Sequence, residues 1–253
     1  MVPLDDIVNE LDAELRLAEI PDYPNAHNGL QLAAASGKTV RKVAAAVDAC
    51  LPVIRAAVDA EADLLLVHHG LFWPGAQRIV GGLFEKLKLA MDAGLAIYSA
   101  HIPLDVHPTL GNNARLAAAL GFENVEPFFD WKGIRLGLRA AVSLDRASLV
   151  QHVGEATGAG AHLCPGGPDT VRSVGIVTGG AGSEIFAAAA TGIDTFITGE
   201  GPHWSYTAAE ELGLNLIYGG HYATETFGVK ALAECLETRH GLPWEFLDHP
   251  TGL

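Results

Sequence analysis

The run Asp63-Leu64-Leu65-Leu66-Val67-His68-His69-Gly70 carries four aliphatic residues into two adjacent imidazoles and a glycine. A short apolar run with these flanks predicts a strand whose last residues are polar. Working outward, further apolar runs lie at residues 43–47 and 95–99, and Ala-rich, helix-like segments at 51–60 and 84–93 separate them. Strands alternating with helices of this length predict βαβ units and a largely parallel sheet. An opening helix is marked by Leu4, Ile7, Val8, Leu11 and Leu15, one apolar face at a period near 3.6. Residues 112–120 read as another helix, stopped by Gly121.

Residues 122–135 show no clear period and hold Pro127 with Phe128, Phe129 and Trp131, so they read as a junction between two halves. Beyond it the alternation resumes. Strands are expected at 139–144, 171–178, 194–198 and 215–218, and helices at 183–190, 206–212 and about 224–239. Asp145 is placed to cap a helix bearing Leu149, Val150 and Val153 on one face. The expected architecture is α/β, with mainly parallel or mixed sheets and two domains, 1–127 and 128–253. The length of 253 residues is compatible with one or two domains.

Composition excludes several classes. Hydrophobic residues make up 49% of the chain and charged residues 18%, enough apolar material for a packed core and too little polarity for disorder. The net charge of −14 offers no basic footprint for nucleic acid or an anionic membrane. The acidic opening MVPLDDIVNE lacks the basic and apolar regions of a signal peptide, and no apolar run approaches the roughly 18 residues of a membrane span. Cys50, Cys164 and Cys235 are odd in number and far apart, which suits a reducing, cytoplasmic setting.

Chemistry concentrates at expected strand ends, where open α/β sheets bind ligands. The first spot is His68-His69. Adjacent side chains diverge on a regular strand, so a turn just past it is expected to aim both rings into one crevice; the alternative is a pair of ordinary hydrogen-bonded histidines. The second is His101-Ile-Pro-Leu-Asp105-Val-His107-Pro108, where Asp105 could bridge two cations or merely cap a turn. The third is Gly219-Gly220-His221-Tyr-Ala-Thr224-Glu225. If the helix starts early, His221 and Glu225 share one face and can hold one metal from two sides; otherwise they are a surface pair. Together these donors mix nitrogen and oxygen and suit zinc, iron, manganese or nickel. Five ligands exceed what one catalytic ion needs and fit two ions sharing a carboxylate and water. The loop Gly179-Gly180-Ala181-Gly182 follows an expected strand and precedes an expected helix, so its amides could cradle a phosphate, though a plain βα turn explains it as well. Thr198-Gly199-Glu200 is another strand-end cluster, and Glu200 is a candidate base.

At these residues the chain resembles the Nif-three-like family of dinuclear-metal proteins, also catalogued as GTP cyclohydrolase I type 2 homologs. The matching elements are Asn28-Gly29-Leu30-Gln31, His68-His69-Gly70-Leu71-Phe72-Trp73, Ala100-His101-Ile102-Pro103-Leu104-Asp105, Leu110-Gly111-Asn112-Asn113, Thr198-Gly199-Glu200 and Gly220-His221-Tyr222-Ala223-Thr224-Glu225. They span nearly the whole chain in order. The resemblance implies two divalent metals on His68, His69, Asp105, His221 and Glu225, two packed α/β domains with the site between them, and ring-like homohexamers. His101 is implied to lie near the metals. Where the family more often has a second His, this chain has Tyr222, which removes any proton transfer from that position. The expectation is a metal-dependent hydrolase of a small, anionic, phosphorylated or nucleotide-like substrate, with Glu200 or His101 handling protons and Gly179, Gly180 and Gly182 receiving the anion. The alternative is a non-catalytic metal-binding ring-shaped assembly or interaction protein.

Overall fold

A computed structural model describes residues 1–253. The chain divides into two compact units. One comprises residues 1–104 and 228–249, the other residues 105–227 and 250–253. The expected boundary at 127/128 is corrected, because it would cut a strand. Glu126–Trp131 pairs antiparallel with Ile134–Asp145, joined through Lys132-Gly133, both at positive φ. That is the two-residue geometry that matches strand twist. The strand escaped detection because Phe128 and Phe129 are both buried, which breaks the period-2 pattern.

The first unit holds a five-stranded sheet, ordered Trp244–Phe246, Val43–Asp48, Leu64–His69, Ala96–Ser99, Gly29–Leu32. The first four run parallel and the last antiparallel. Helices Leu51–Asp59 and Gly81–Ala93 are the crossovers that parallel pairing requires. The central strand is buried along Leu64–Val67, and Ile54, Leu65 and Ile97 belong to one core. Strand Trp244–Phe246 reaches this sheet because helix Thr226–His240 leads the chain back, with Arg239 and His240 bonded to Glu10 of helix Leu4–Glu14.

The second unit holds a six-stranded mixed sheet, ordered Glu126–Trp131, Ile134–Asp145, Thr170–Ile176, Thr195–Thr198, Asn215–Tyr218, His162–Cys164. Parallel pairing between neighbours occurs only from Thr170–Ile176 to Thr195–Thr198 and from Thr195–Thr198 to Asn215–Tyr218. Asp145 caps helix Arg146–Thr157 as expected, accepting the Ser148 amide at 2.9 Å. The expected helix at 183–190 is instead a 3-10 turn, Ala181–Glu184, followed by the short helix Ile185–Ala189. The expected last helix at about 224–239 is present as Thr226–His240, preceded by the short helix His221–Thr224. No helix is long and apolar enough to cross a membrane.

Candidate functional site

In the first unit His68 and His69 are the last two residues of strand Leu64–His69, not part of a turn beyond it as expected. Each ring is drawn by a neighbouring strand. His68 Nδ1 lies 2.8 Å from the Ala100 carbonyl, just past strand Ala96–Ser99. His69 Nδ1 lies 2.9 Å from Asp48 Oδ1, its register partner on strand Val43–Asp48. The two rings still come within 4.9 Å, centroid to centroid. His101, two residues past strand Ala96–Ser99, joins them at 4.8 Å from His68 and 5.6 Å from His69. The three histidines offer ligand nitrogens within 4.8 Å of one another, so this group could hold a metal ion.

His101 is nearly buried, and its Nδ1 lies 2.8 Å from Asp22 Oδ1. Burial alone would raise the Asp22 carboxyl. The His101 ring, then Asn28 and the Tyr23 amide, outweigh it and hold the group below its ordinary value. Asp22 also accepts the Ile102 amide at 2.9 Å, while Asn28 accepts the His101 amide at 2.7 Å. Gln31 accepts the Leu71 amide at 2.6 Å and donates to Ala26 and His27 carbonyls. Gly70 leaves room for that amide, because a Cβ there would overlap the Gln31 side chain. The Asn28-to-Gln31 and His68-to-Gly70 elements are thus two sides of one scaffold.

In the second unit Asp105 is buried and its Oδ1 accepts from Asn112 Nδ2 at 2.8 Å and from the Thr178 hydroxyl at 3.3 Å. Asn113 binds the Asp105 and Leu136 carbonyls and accepts the Thr178 amide. The Leu110-to-Asn113 element therefore fixes Asp105. His221 begins the short helix His221–Thr224, and its Nε2 lies 3.3 Å from Glu225 Oε1. Its Nδ1 lies 2.8 Å from Glu200 Oε1. Burial works against charge on His221, but the hydrogen bonds and charges of Glu225 and Glu200 win and push its pKa up to about 9. The spot favours positive charge, as a cation-binding site must.

The loop at 179–182 has a role other than the expected anion cradle. The Gly179 amide donates to Thr224 Oγ1, the Ala181 amide to Thr198 Oγ1 and the Gly182 amide to the Glu200 carbonyl. Donors spent on protein acceptors do not cradle a phosphate. Gly179 instead sits at φ +71° where a Cβ would run into the Glu225 carboxylate, and a Cβ at Gly182 would meet Gly201 and the Tyr218 hydroxyl. Gly180 passes beside the His221 ring. Glu200, the expected base, is bonded to His221, and His107 organises its own turn by accepting the Thr109 and Leu110 amides.

Sequence reading missed Asp22 and Asp48. Asp48 had a signal, an acid ending the otherwise apolar Val43-Ala-Ala-Ala-Val47 at the level of His69. Asp22 had none, since it lies in a turn-rich segment 79 residues from its partner.

All four histidines share one arrangement. Nδ1 faces an oxygen acceptor, which is a backbone carbonyl for His68 and a carboxylate for His69, His101 and His221. A carbonyl or ionised carboxylate only accepts, so the neutral rings of His68, His69 and His101 carry the proton on Nδ1 and the lone pair on Nε2, a tautomer that can bind metal, whereas His221 has a carboxylate at each nitrogen, which favours its protonated form.

The family model described as Duf34/NIF3 (NGG1p interacting factor 3) matches residues 2–251. A Deinococcus radiodurans protein named GTP cyclohydrolase 1 type 2 homolog is 41% identical, over 98% of this chain and 94% of its own. An Archaeoglobus fulgidus protein of the same name is 38% identical over 99% of each. A crystal structure from Thermus thermophilus superposes with a TM-score of 0.89, at 43% identity and 100% coverage of both chains. The chain belongs to the Duf34/NIF3 family.

Proposed function

We infer that the protein is a metal-dependent hydrolase of a small phosphorylated or nucleotide-like substrate, using two divalent transition-metal ions. Its ligands would be His68, His69, His101, Asp105, His221 and Glu225. The observation that carries this reading is the shared arrangement of the four histidines, each with Nδ1 facing an oxygen acceptor. Imidazole nitrogens mixed with carboxylate oxygens suit zinc, iron, manganese or nickel. Bound ions of this kind supply Lewis acidity and lower the pKa of water toward neutrality. The chain's own residues set the ligands in place. Asp22, Asp48 and Glu200 orient rings, Asn112 and Thr178 orient the Asp105 carboxylate, and the Ala100 carbonyl fixes His68. Glu200 and His101, expected to handle protons, are better read as an orienting carboxylate and a donor ring.

The relatives named GTP cyclohydrolase 1 type 2 homolog support a nucleotide-like substrate. Purified protein should carry close to two transition-metal ions per chain by elemental analysis, and His68→Ala or Asp105→Ala should lower the count. An unchanged count in both variants would sink the ligand assignment. Across phosphoesters, GTP and cyclic amides, turnover should be abolished by a chelator and restored by metal. A second reading is a non-catalytic metal-binding ring-shaped assembly, favoured by the exposed Phe84, Met91, Phe186 and Trp204. Full metal content with no turnover across the panel would select it.

A further inference from the structure

We propose that Trp73 and Tyr23 form a docking corner for the planar heteroaromatic ring of an anionic ligand, such as the base of a nucleotide. The proposal rests on reading His68, His69 and His101 as metal ligands, since the metal would hold the anionic end. The Trp73 indole lies 4.5 Å from the His101 ring and 5.3 Å from the His69 ring. Tyr23 stands at 84° to the indole with centroids 6.0 Å apart, and lies 6.0 Å from His101. A face and a ring standing nearly perpendicular to it make a corner. A flat ring placed there stacks on the indole and meets the phenol with its rim, the two arrangements aromatic quadrupoles favour.

The corner is anchored. Asn25 Nδ2 donates to the Trp73 carbonyl at 2.8 Å, and the Gly75 amide to the Phe72 carbonyl at 2.8 Å. The Tyr23 amide donates to Asp22, the carboxylate that fixes His101. One scaffold therefore sets both the aromatic corner and a candidate metal ligand. An aromatic kept only for packing is covered, as Tyr98 and Phe196 are; Tyr23 stays 46% exposed and Trp73 half-buried. Among the exposed aromatics, Phe186 and Trp204 stack on each other, whereas the indole of Trp73 packs on two of the candidate histidines. Stacking tolerates any base, because every base has a π-face. The corner thus selects base-bearing over base-free phosphates and discriminates little among bases.

Calorimetric titration of the metal-loaded full chain with GMP, UMP and ribose 5-phosphate tests this. Both nucleotides should bind on the order of tenfold or more tighter than ribose 5-phosphate. Trp73→Ala should erase that margin while ribose 5-phosphate affinity and metal content stay as in the wild type, and Trp73→Phe should keep most of it. Equal affinities for all three probes in the wild type, or a margin surviving in Trp73→Ala, overturns the corner. Metal lost from both Trp73 variants also overturns it, in favour of an indole that only props the imidazoles. Absence of metal from the wild type itself would sink the ligand reading, and elemental analysis separates that failure from the others.

Discussion

At the scale of single residues, much of the site's chemistry lies in what stands behind each ligand. Partners of this kind, when removed, typically cost 10- to 100-fold in metal affinity. Asp48→Asn and Asp22→Asn are therefore expected to weaken metal binding by roughly that factor, measured by competition with a chromophoric chelator. Native far-UV circular dichroism in both variants would confirm that the fold is not the cause. A different acid supports the fold away from the ligands. Asp63 is buried, lies 2.7 Å from Lys38 Nζ and accepts Arg41 Nε at 3.1 Å. Burial opposes its charge, but those two cations lower its pKa to about 2. A carboxyl lowered on folding stabilises above its unfolded pKa of roughly 4, and the contribution is lost as pH falls through about 2. Asp63→Asn should cost up to about 2 kcal/mol at neutral pH. The gap from the wild type in urea denaturation should close as the pH drops from 4 to 2.

At the scale of elements, glycines and strand ends decide how close the pieces come. Gly179 holds a left-handed conformation against the Glu225 carboxylate. Gly179→Ala adds a strained backbone, about 1–2 kcal/mol, and displaces that carboxylate. A lower melting temperature and a reduced metal count should appear together; a full count with an unshifted Tm would refute the contact. Gly70 and Gln31 form a second tight pair. Gln31→Ala should cost less in a Gly70→Ala background than in the wild type, with a coupling of roughly 0.5–3 kcal/mol. The strands 43–48, 64–69 and 215–218 were legible because their apolar runs are uninterrupted. Gly29–Leu32, His162–Cys164 and Trp244–Phe246 were not, since each lies at a sheet edge and is three or four residues long, with little pattern of its own.

At the scale of the molecule, the chain passes between its units at Leu104–Asp105, at Phe227–Gly228 and at His249–Pro250. The first two crossings are next to candidate ligands: His101 and Asp105 flank the first, and Glu225 lies just before the second. Ligand binding stabilises the native state by mass action, about 2.7 kcal/mol at a hundredfold excess over Kd. Stripping metal with a chelator should then lower Tm by roughly 5–10 °C for a chain of this size, and re-addition should restore it. The homohexameric ring expected from the family resemblance can be tested directly. Light scattering should report about 160 kDa, six copies of the 26.6 kDa chain; a mass near one chain would rule the ring out.

The sequence alone determined the α/β class and the central strand, and it proposed five of the six candidate ligands. Local periodicity and strand-end polarity express those features within a few residues, and the motifs that carry the family resemblance are equally local. Tertiary structure alone decided that His101 joins His68 and His69, and that Asp22, Asp48 and Glu200 each face an imidazole. It also decided that the glycine loop serves Glu225 and not an anion, and where the two units divide. The physical reason is the same throughout. Hydrogen bonds between residues tens of positions apart depend on strand order and register, and no window of sequence contains both partners.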